Sequence, residues 1–551
     1  MGINIDLQDD PESGDQPPDR LSSLLSLLLA VLIFVAVVVV LLVARQRVQQ
    51  AALLKPTPTV AAKATASPSL AMTPPPGTRL PGATQAAPVA PTNTRAAATG
   101  VVTTTAPLPT SQPTSPVQTP ATPQLAPPPT ATVTPAAVSS PAAEALQWYF
   151  GEGASVSPFR TWYAVFNPGS QAAKVTLSLY PETGKAIERT LTVAPGTQSR
   201  VLANDILPKS VFGAGVTSDR PVYVERMTVG DRDGTTSSGL KPATTWYFPE
   251  GQTDEDFTTW LLALNPSSTP AALTVSYYPV GGKPVVKTYT AAPTARLTID
   301  VRKDVPAGVI GIVVESSQPI VVEHSIYFDD QKAAYGGPGL TAPSKTWYLG
   351  SGNTQVGFTA RVAIFNPNKE PAVVKATLLG SKQQAVSDLY SIEPMSKDDI
   401  VLNDRADEQL VAVVLESDKP VLAQMVTYYL SGGESGPVAA YSSPALAAAA
   451  RQWYLADMAP ESAYDSYIMI FNPATIPASV SVAYIVQGGE QVSKAYDLPG
   501  SGRLTLRASD EVKDKLVAAA SVRATQPVVV ERVTMFRTTV GATSSAGMPA
   551  Q

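Results

Sequence analysis

The chain has 551 residues, a formal net charge of −5 at pH 7 and no cysteine. The length predicts three or four domains, and the lack of cysteine excludes disulfides, zinc–thiolate centres and cysteine nucleophiles. No region is basic enough to indicate a nucleic-acid partner.

An acidic tail and an apolar stretch open the chain. Residues 1–20 carry six acids against Arg20, and residues 21–44 are apolar apart from three serines. Crossing a bilayer takes about 20 apolar residues, and a cleaved signal peptide usually has basic residues before its apolar region and small residues after it. The sequence therefore predicts a cytoplasmic tail at 1–20 and an uncleaved transmembrane helix at 21–44 that contacts the lipid bilayer.

The charges beside this helix conflict with the layout of the rest of the chain. Arg45, Arg47 and Lys55 follow the helix and only Arg20 precedes it, so the positive-inside rule would place the C-terminal part in the cytoplasm. Large C-terminal domains can nevertheless translocate despite such charges. A Pro/Thr-rich stalk followed by β-rich repeats is typical of displayed domains. We therefore expect a single-pass cell-membrane protein with extracellular repeats.

Residues 45–143 are rich in Pro, Thr, Ala and Ser and contain no acidic residue. This region has too few large apolar side chains to offset the entropy lost on ordering the chain. It is therefore predicted to be a disordered stalk biased to polyproline II. Its threonines are consistent either with O-linked sugars or with a plain tether, and composition does not separate the two.

One sequence pattern then recurs about every hundred residues. Each copy opens with Trp-Tyr, has Asn-Pro nineteen residues after the Trp, and later has a Pro before a β-branched run. A period of this length is a whole domain rather than a solenoid unit. The pattern defines segment 1 (residues 144–241), segment 2 (residues 242–342), segment 3 (residues 343–449) and segment 4 (residues 450–551).

Short β-strands are indicated within each segment. In segment 1, residues 162–166 are apolar on both faces, as in a central strand, and residues 174–180 alternate. Asn167 then ends the first strand, because Asn bonds its own backbone in turns and the following Pro lacks a ladder donor. Such strands and turn signals predict an all-β chain of four tandem antiparallel β-sandwich (immunoglobulin-like) modules.

The segment openings carry a family resemblance. Trp148-Tyr-Phe-Gly-Glu-Gly153, Trp246-Tyr-Phe-Pro-Glu-Gly251 and Val224-Glu225-Arg226, with Asn-Pro after a hydrophobic strand, resemble a bacterial surface β-sandwich repeat family without an assigned biochemical function. The resemblance covers residues 144–551, although segments 3 and 4 depart from the opening motif. It implies an exported repeat protein and brings no catalytic residues.

Four charged positions vary together among the segments. Segments 1, 2 and 4 carry an acid, an arginine, a second acid and a basic residue, whereas segment 3 has Ser351, Lys397, Gln424 and Met425. We expect these groups to meet within each copy as structural Arg–carboxylate pairs that tie the opening strand to the strand after the recurrent proline, because loss of one buried partner leaves the other without a counterion. The alternative is an acidic site for a cation or a sugar. The predicted pair residues are Glu152, Arg200, Glu225, Glu250, Arg296, Glu323, Asp457, Arg503 and Glu531.

Catalysis is not indicated. His324, the only histidine, aligns with Arg226 and Arg532 and is expected to fill a strand position. A single histidine precludes metal centres with two or three histidines, and the chain has no nucleophile elbow or phosphate-binding loop. We expect no enzyme activity and no catalytic, cofactor-binding or metal-binding residues.

The aromatic residues at repeated positions fall into two groups. The four that open the segments are expected to pack in cores. Trp162, Trp260 and Tyr467 share a position that holds Arg361 in segment 3, so they are expected near the surface. There they would either contact a ligand such as a sugar or form a partly covered strand end.

These features predict a membrane-anchored cell-envelope protein that displays four β-sandwich modules in a structural or adhesive role. Its expected partners are cell-wall, surface-layer or glycan components. The alternative is a polysaccharide-binding surface protein that uses the exposed aromatics.

Overall fold

A computed structural model describes residues 146–381, 385–430, 436–513 and 515–550. The predicted tail, transmembrane helix and stalk lie outside these residues. Within the described ranges, the fold has no helix long and apolar enough to cross a membrane.

Nearly all regular structure in these ranges is β-strand, which confirms the all-β prediction. Segment 1 contains β1 (Leu146–Phe150), β2 (Arg160–Asn167), β3 (Ala173–Pro181), β4 (Ile187–Val193), β5 (Thr197–Leu202), β6 (Phe212–Ser218), β7 (Tyr223–Val229) and β8 (Gly234–Ser238). Segment 2 contains β9 (Ala243–Phe248), β10 (Gln252–Thr253), β11 (Thr258–Asn265), β12 (Ala271–Pro279), β13 (Val285–Ala291), β14 (Ala295–Asp300), β15 (Gly308–Phe328) and β16 (Ala333–Pro338).

The other two segments follow the same order. Segment 3 contains β17 (Ser344–Asn353), β18 (Phe358–Asn366), β19 (Ala372–Gly380), β20 (Val386–Ile392), β21 (Ser396–Val401), β22 (Leu410–Leu430) and β23 (Pro437–Pro444). Segment 4 contains β24 (Ala450–Leu455), β25 (Tyr464–Phe471), β26 (Ala478–Val486), β27 (Gln491–Leu498), β28 (Arg503–Arg507), β29 (Val517–Phe536), β30 (Ala542–Ala546) and β31 (Met548–Pro549). Short 3₁₀ turns lie at Ala203–Asp205, Val301–Lys303 and Leu402–Asp404, and a single helical turn, α1, lies at Ala508–Glu511.

Two antiparallel sheets recur in every segment. In segment 1 their strand orders are β1-β6-β3-β4 and β5-β2-β7-β8. In the other segments one long strand (β15, β22 or β29) takes the places of both β6 and β7 and pairs in both sheets.

The recurrent proline marks the point where the chain leaves one sheet and enters the other. In segment 2, β15 pairs with β12 through Ser316 and with β11 from Val321 onward. Pro319 lies between these ladders, where its missing N–H removes no ladder bond. In segment 1 the strand itself is interrupted around Pro221, because β6 ends at Ser218 and β7 begins only after the proline.

The opening tryptophans are buried, as predicted. Trp246, Trp347 and Trp453 each donate Nε1–H to the carbonyl of the residue after the proline, at 2.9, 2.7 and 2.9 Å. Each indole therefore fixes the first strand against the crossover between the sheets. The four largest hydrophobic clusters each draw their buried members from a single segment and each include one of these rings.

The Asn of each Asn-Pro pair forms the predicted local turn. Asn167 Oδ1 accepts the N–H of Gly169 at 3.0 Å, and its Nδ2 donates to the carbonyls of Gln171 and Val193. The other three copies repeat this pattern. The Asn thus ends the central strand and ties it to the loop that follows.

Candidate functional site

The charged positions singled out in the sequence meet across segment boundaries. Arg200 of segment 1 pairs with Asp457 of segment 4 through Nε and Oδ2 at 3.2 Å, and with Glu461 at 2.6 Å. Glu225 of segment 1 accepts the N–H of Asp457 at 3.3 Å and pairs with Arg532 at 2.8 Å. We call this contact the 1/4 junction.

The 1/2 junction repeats this geometry one segment further along. Glu323 of segment 2 accepts the N–H of Glu152 of segment 1 at 2.6 Å. Arg226 lies between the two carboxylates, at 3.3 Å from Glu323 and 2.9 Å from Glu152. Arg296 of segment 2 donates Nη1–H to the carbonyl of Gly153 at 2.8 Å.

In the 2/3 junction the carboxylate comes from the earlier segment and the cations from the later one. Glu250 pairs with Lys397 at 2.8 Å and with Arg361 at 2.6 Å, and it accepts the hydroxyl of Tyr335 at 3.0 Å. Glu250 and Lys397 are both buried. Asp399 also faces both cations.

The 3/4 junction has lost its opening acid, because segment 3 has Ser351 at that position. Glu531 of segment 4 instead accepts the N–H of Gly350 at 2.5 Å. Arg503 donates Nη2–H to the carbonyl of the same glycine at 3.3 Å. Both segment 4 side chains therefore contact the backbone of the same segment 3 residue.

These contacts correct the prediction that the pairs lie within single copies. Only Glu152 and Arg226, of the groups described above in segment 1, join the opening strand to the strand after the proline inside one segment. Otherwise each segment contacts the residues that closely follow the Trp-Tyr pair of the segment before it, and segment 1 contacts the corresponding residues of segment 4. A head-to-tail contact of this kind closes into a ring when the rotation between copies returns to the start. Here the four junctions complete that cycle.

Apolar packing follows the same cycle. The residue before each Asn-Pro pair packs on a small residue of the preceding segment. Leu264 packs on Gly213 and Phe365 on Gly311, where an added Cβ would lie 3.0 and 2.5 Å from the facing side chain. The other two junctions use alanine at the corresponding position, with Phe166 clustered with Ala519 and Phe471 with Ala412.

Four short strands from the four segments meet where the junctions converge; we call β8, β16, β23 and β30 the central strands. Most of their side chains are small, with Tyr335 and Tyr441 as exceptions, and hydroxyls bond across the boundaries. Thr236 and Thr543 are 3.0 Å apart, Ser443 and Ser544 are 3.0 Å apart, and Ser442 donates to the carbonyl of Gly336 at 3.1 Å. The Thr-Ser-Ser sequences in segments 1 and 4 were the only signal of this contact in the sequence.

Asp233, which the sequence did not single out, connects three segments. This segment 1 carboxylate is buried and accepts the N–H of Ala334 in segment 2 at 2.6 Å. Its second oxygen accepts the N–H of Ala440 in segment 3 at 2.9 Å. The adjacent carbonyl of Arg232 accepts the hydroxyl of Thr539 in segment 4 at 2.7 Å. The β7–β8 turn therefore contacts all three other segments.

Burial and charge shift the pKa values of the junction carboxyls in opposite directions. Burial raises the pKa of Glu225 to about 7 despite the attraction of Arg532, and it also raises the pKa of Glu531 and Asp233. Burial opposes ionisation of Glu250 too, but Arg361 and Lys397 outweigh it and lower the pKa to about 2. His324 is buried on its strand, which lowers its pKa to about 4 and keeps it neutral at pH 7.

The three aromatics predicted to be exposed lie at the junctions instead. Trp162 is buried between the guanidinium groups of Arg160 and Arg200, with their Cζ atoms 4.6 and 4.7 Å from the ring centroid. Tyr467 is buried in an apolar cluster at the 3/4 junction. Exposure of these two side chains was therefore predicted wrongly, because the position faces the neighbouring segment. Trp260 is half-buried.

Trp260 lines a cavity of about 390 Å³ at the 1/2 junction, which we call the junction cavity. Phe159 and Tyr327 add two further rings, 6.1 Å apart. Arg296 and Ser325 also line the cavity. Within the described residues, no group of three or more His, Asp or Glu side chains is arranged to hold a metal ion.

Searches found no matching family model and no matching curated protein. Among solved structures, the chain is similar to the crystal structure of Thermotoga maritima 1070, with 17% identity over 19% of this chain and 94% of that chain and a TM-score of 0.18. It is also similar to a tetra-tandem repeat from the extending region of a large adhesion protein, with 12% identity over 70% of this chain and 93% of that chain and a TM-score of 0.10. A Streptomyces avermitilis alpha-L-rhamnosidase complexed with L-rhamnose matches with 11% identity, 70% and 55% coverage and a TM-score of 0.10.

Proposed function

We propose that the four segments are four β-sandwich modules that close into one preassembled unit, which the chain displays outside the cell in a structural or adhesive role. The observation that supports this proposal is the cycle of four junctions. Each junction combines buried polar contacts with apolar packing, so the modules would act as one rigid body rather than as a flexible string. The predicted membrane helix and stalk would anchor this body and hold it away from the bilayer.

The edge strands support a role in contacting partners. In each segment one edge strand (β4, β13, β20 or β27) pairs on only one side among the described residues, and all of its side chains except the last are exposed or half-buried. An unpaired edge can accept a strand from another chain. Four such edges on one body would allow several weak contacts with a wall, surface-layer or glycan partner to add up. This role requires no catalysis.

Protease treatment of intact cells, with antibody detection of the segments, tests the display role. Cleavage in the stalk should release a folded fragment that begins near residue 144 and resists further cutting between segments. Protection of the whole chain until the cells are lysed, with a periplasmic or surface marker digested in parallel, would place the modules inside and refute display.

Polysaccharide binding is the second candidate. Of its three predicted aromatics, Trp260 lines the junction cavity, and Trp162, although only 5% exposed, lines a second cavity of about 320 Å³ at the 1/4 junction. Tyr467 is buried. A glycan pull-down with the W260L variant as comparison would test this role. Retention of the glycan by both proteins would argue against a contact at Trp260.

A further inference from the structure

The junction cavity differs from the corresponding places at the 2/3 and 3/4 junctions. The 1/4 junction also has a cavity, of about 320 Å³ beside Trp162, but there Arg200 is paired with Asp457 and Glu461. At the 2/3 junction Arg361 takes the position of Trp260 and pairs with Glu250 and Asp399. At the 3/4 junction Tyr467 packs with Tyr441 and other apolar residues. The space at the 1/2 junction is not filled in either way.

Arg296 presents a cation at this cavity. Its side chain is 8% exposed, and its Nη1 donates to the carbonyls of Gly153 and Phe212 at 2.8 and 3.2 Å. Among the described residues it has no ion pair within 4.0 Å, and its Nε has no hydrogen-bond partner. The corresponding Arg200 and Lys397 both contact carboxylates at their own junctions. Burial lowers the pKa of Arg296, so an anion beside it would be stabilising.

A free hydroxyl lies on the same wall. Ser325 is 1% exposed, lines the cavity, and its Oγ has no hydrogen-bond partner among the described residues. Leaving a buried polar atom unpaired is costly, so this hydroxyl would gain from a ligand that bonds to it. A bound ligand can therefore satisfy both a charged and a neutral polar group.

The remaining wall favours a ring-shaped ligand with several hydroxyls. Trp260, Tyr327 and Phe159 provide flat apolar faces, and Thr228 and Gln331 add polar groups. The lining also has three carboxyl groups and one further cation, Glu152, Asp231, Asp233 and Lys332. Of these, Glu152 is paired with Arg226, and both oxygens of Asp233 accept backbone N–H groups. The volume of about 390 Å³ lies within the range of small-molecule pockets, about 300–1,000 Å³. Aromatic faces suit the apolar faces of sugar rings, and the guanidinium fork suits a carboxylate.

We infer that the junction cavity binds an acidic monosaccharide unit, with its carboxylate at Arg296, a hydroxyl at Ser325 and its ring against Trp260. Such a site would be formed jointly by segments 1 and 2. It is separate from the display role, because it depends on the 1/2 junction and not on where the chain is located in the cell.

Titration calorimetry on the purified full-length chain in detergent tests this site, with D-glucuronate, D-glucose and benzoate as probes. Glucuronate should bind, and glucose should bind at least about tenfold more weakly because it lacks the carboxylate. The R296Q variant should weaken glucuronate binding at least about tenfold, and S325A by about two- to tenfold. Because the Ser325 hydroxyl has no partner in the described protein, S325A should not lower the thermal midpoint.

W162L is the matched control, since Trp162 holds the corresponding position at the 1/4 junction; it should bind glucuronate like the unmodified chain. The inference is wrong if glucuronate gives no binding heat, or if glucose binds as tightly. It is also overturned if benzoate binds more tightly than glucuronate, or if S325A and R296Q bind glucuronate unchanged. These results are independent of the protease experiment, so display and ligand binding can fail separately.

Discussion

The 2/3 junction and the 1/4 junction occupy corresponding places in the cycle but balance their buried charge differently. Glu250 at the 2/3 junction faces two cations and a tyrosine hydroxyl. Glu225 at the 1/4 junction faces Arg532 and lies near Asp457, and its Oε1 has no hydrogen-bond partner among the described residues. Similar strands therefore bury carboxylates in opposite electrostatic settings. Ionisation of Glu250 is favoured by its cations, whereas ionisation of Glu225 is opposed by its burial.

The largest expected effect comes from removing the carboxylate at the 2/3 junction. The E250Q variant leaves Arg361 and buried Lys397 with Asp399 as their shared counterion. Breaking a buried pair leaves uncompensated charge, so the free energy of unfolding should fall by about 3 kcal/mol. Urea denaturation measures it. The exposed pair Lys375–Glu416 supplies the control, because K375A should cost less than about 1 kcal/mol. Equal losses in the two variants would contradict the assigned role of Glu250.

The 1/4 junction should respond to pH in the opposite sense from the 2/3 junction. The pKa of Glu225 rises from its usual 4.5 to about 7 in the folded chain, so the folded state binds a proton that the unfolded state releases. Stability should therefore fall as pH rises through this window, by about 2 kcal/mol from pH 5 to pH 7. The E225Q variant should lack that contribution when both proteins are denatured at each pH.

Glu250 has its pKa lowered to about 2, so its contribution is present above about pH 4.5 and is lost as pH falls toward 2. E250Q should therefore keep the fall in stability between pH 5 and pH 7 that E225Q loses. If E225Q retains the whole of that fall, Glu225 is not the group that titrates.

The junctions differ in the space that they leave for a side chain three residues after the opening Trp, where segment 1 has Gly151. A Cβ at Gly151 would lie 2.3 Å from the carbonyl oxygen of Leu262 in segment 2, a backbone atom that cannot move alone. The G151A variant should therefore lose at least about 1 kcal/mol of stability, measured by urea denaturation. Segment 4 already has Ala456 at this position. A456G should consequently disturb the 1/4 junction much less than G151A disturbs the 1/2 junction, and the reverse order would refute this reading.

The smallest effect is expected at the central strands. Thr236 and Thr543 share a hydrogen bond of 3.0 Å between segments 1 and 4. The T236V variant keeps the side-chain shape and removes both this bond and the bond that Thr236 donates to the carbonyl of Ser544, so it should cost about 1 kcal/mol. Thermal denaturation of T236V and of the T236V/T543V double variant tests the pairing. The double variant should lose little more than the single one, whereas additive losses would show that the two hydroxyls act independently.

Much of the fold within one segment could be predicted from local sequence. Trp246 and Asn265 have structural roles that depend on neighbours in the same segment. Alternating apolar residues predict strands such as β3. The long strand β15 was harder to predict, because Pro319 resembles a strand end although the chain continues past it into the second sheet.

The site could be predicted only in part. The joint variation of Glu152, Arg200, Glu225 and their counterparts suggested pairs within one copy, whereas most of the contacts cross a segment boundary. Among the described residues, three members of the predicted set bond to backbone groups and form no ion pair: Arg296, Arg503 and Glu531. Residues that occur in every copy look the same whether a partner lies in the same copy or in the next one. Asp233 gave no signal at all, since it has no repeated counterpart and acquires its partners only when three segments converge.

The all-β architecture, the buried opening tryptophans and the Asn turns follow from the sequence alone, because these depend on periodicity and on contacts within about a hundred residues. The contact between segments 1 and 4, the burial of the aromatic position against a neighbour and the cavity at the 1/2 junction became visible only in the folded chain. These properties depend on the angle between successive segments, which arises from the packing of whole sheets and is not encoded in any single strand.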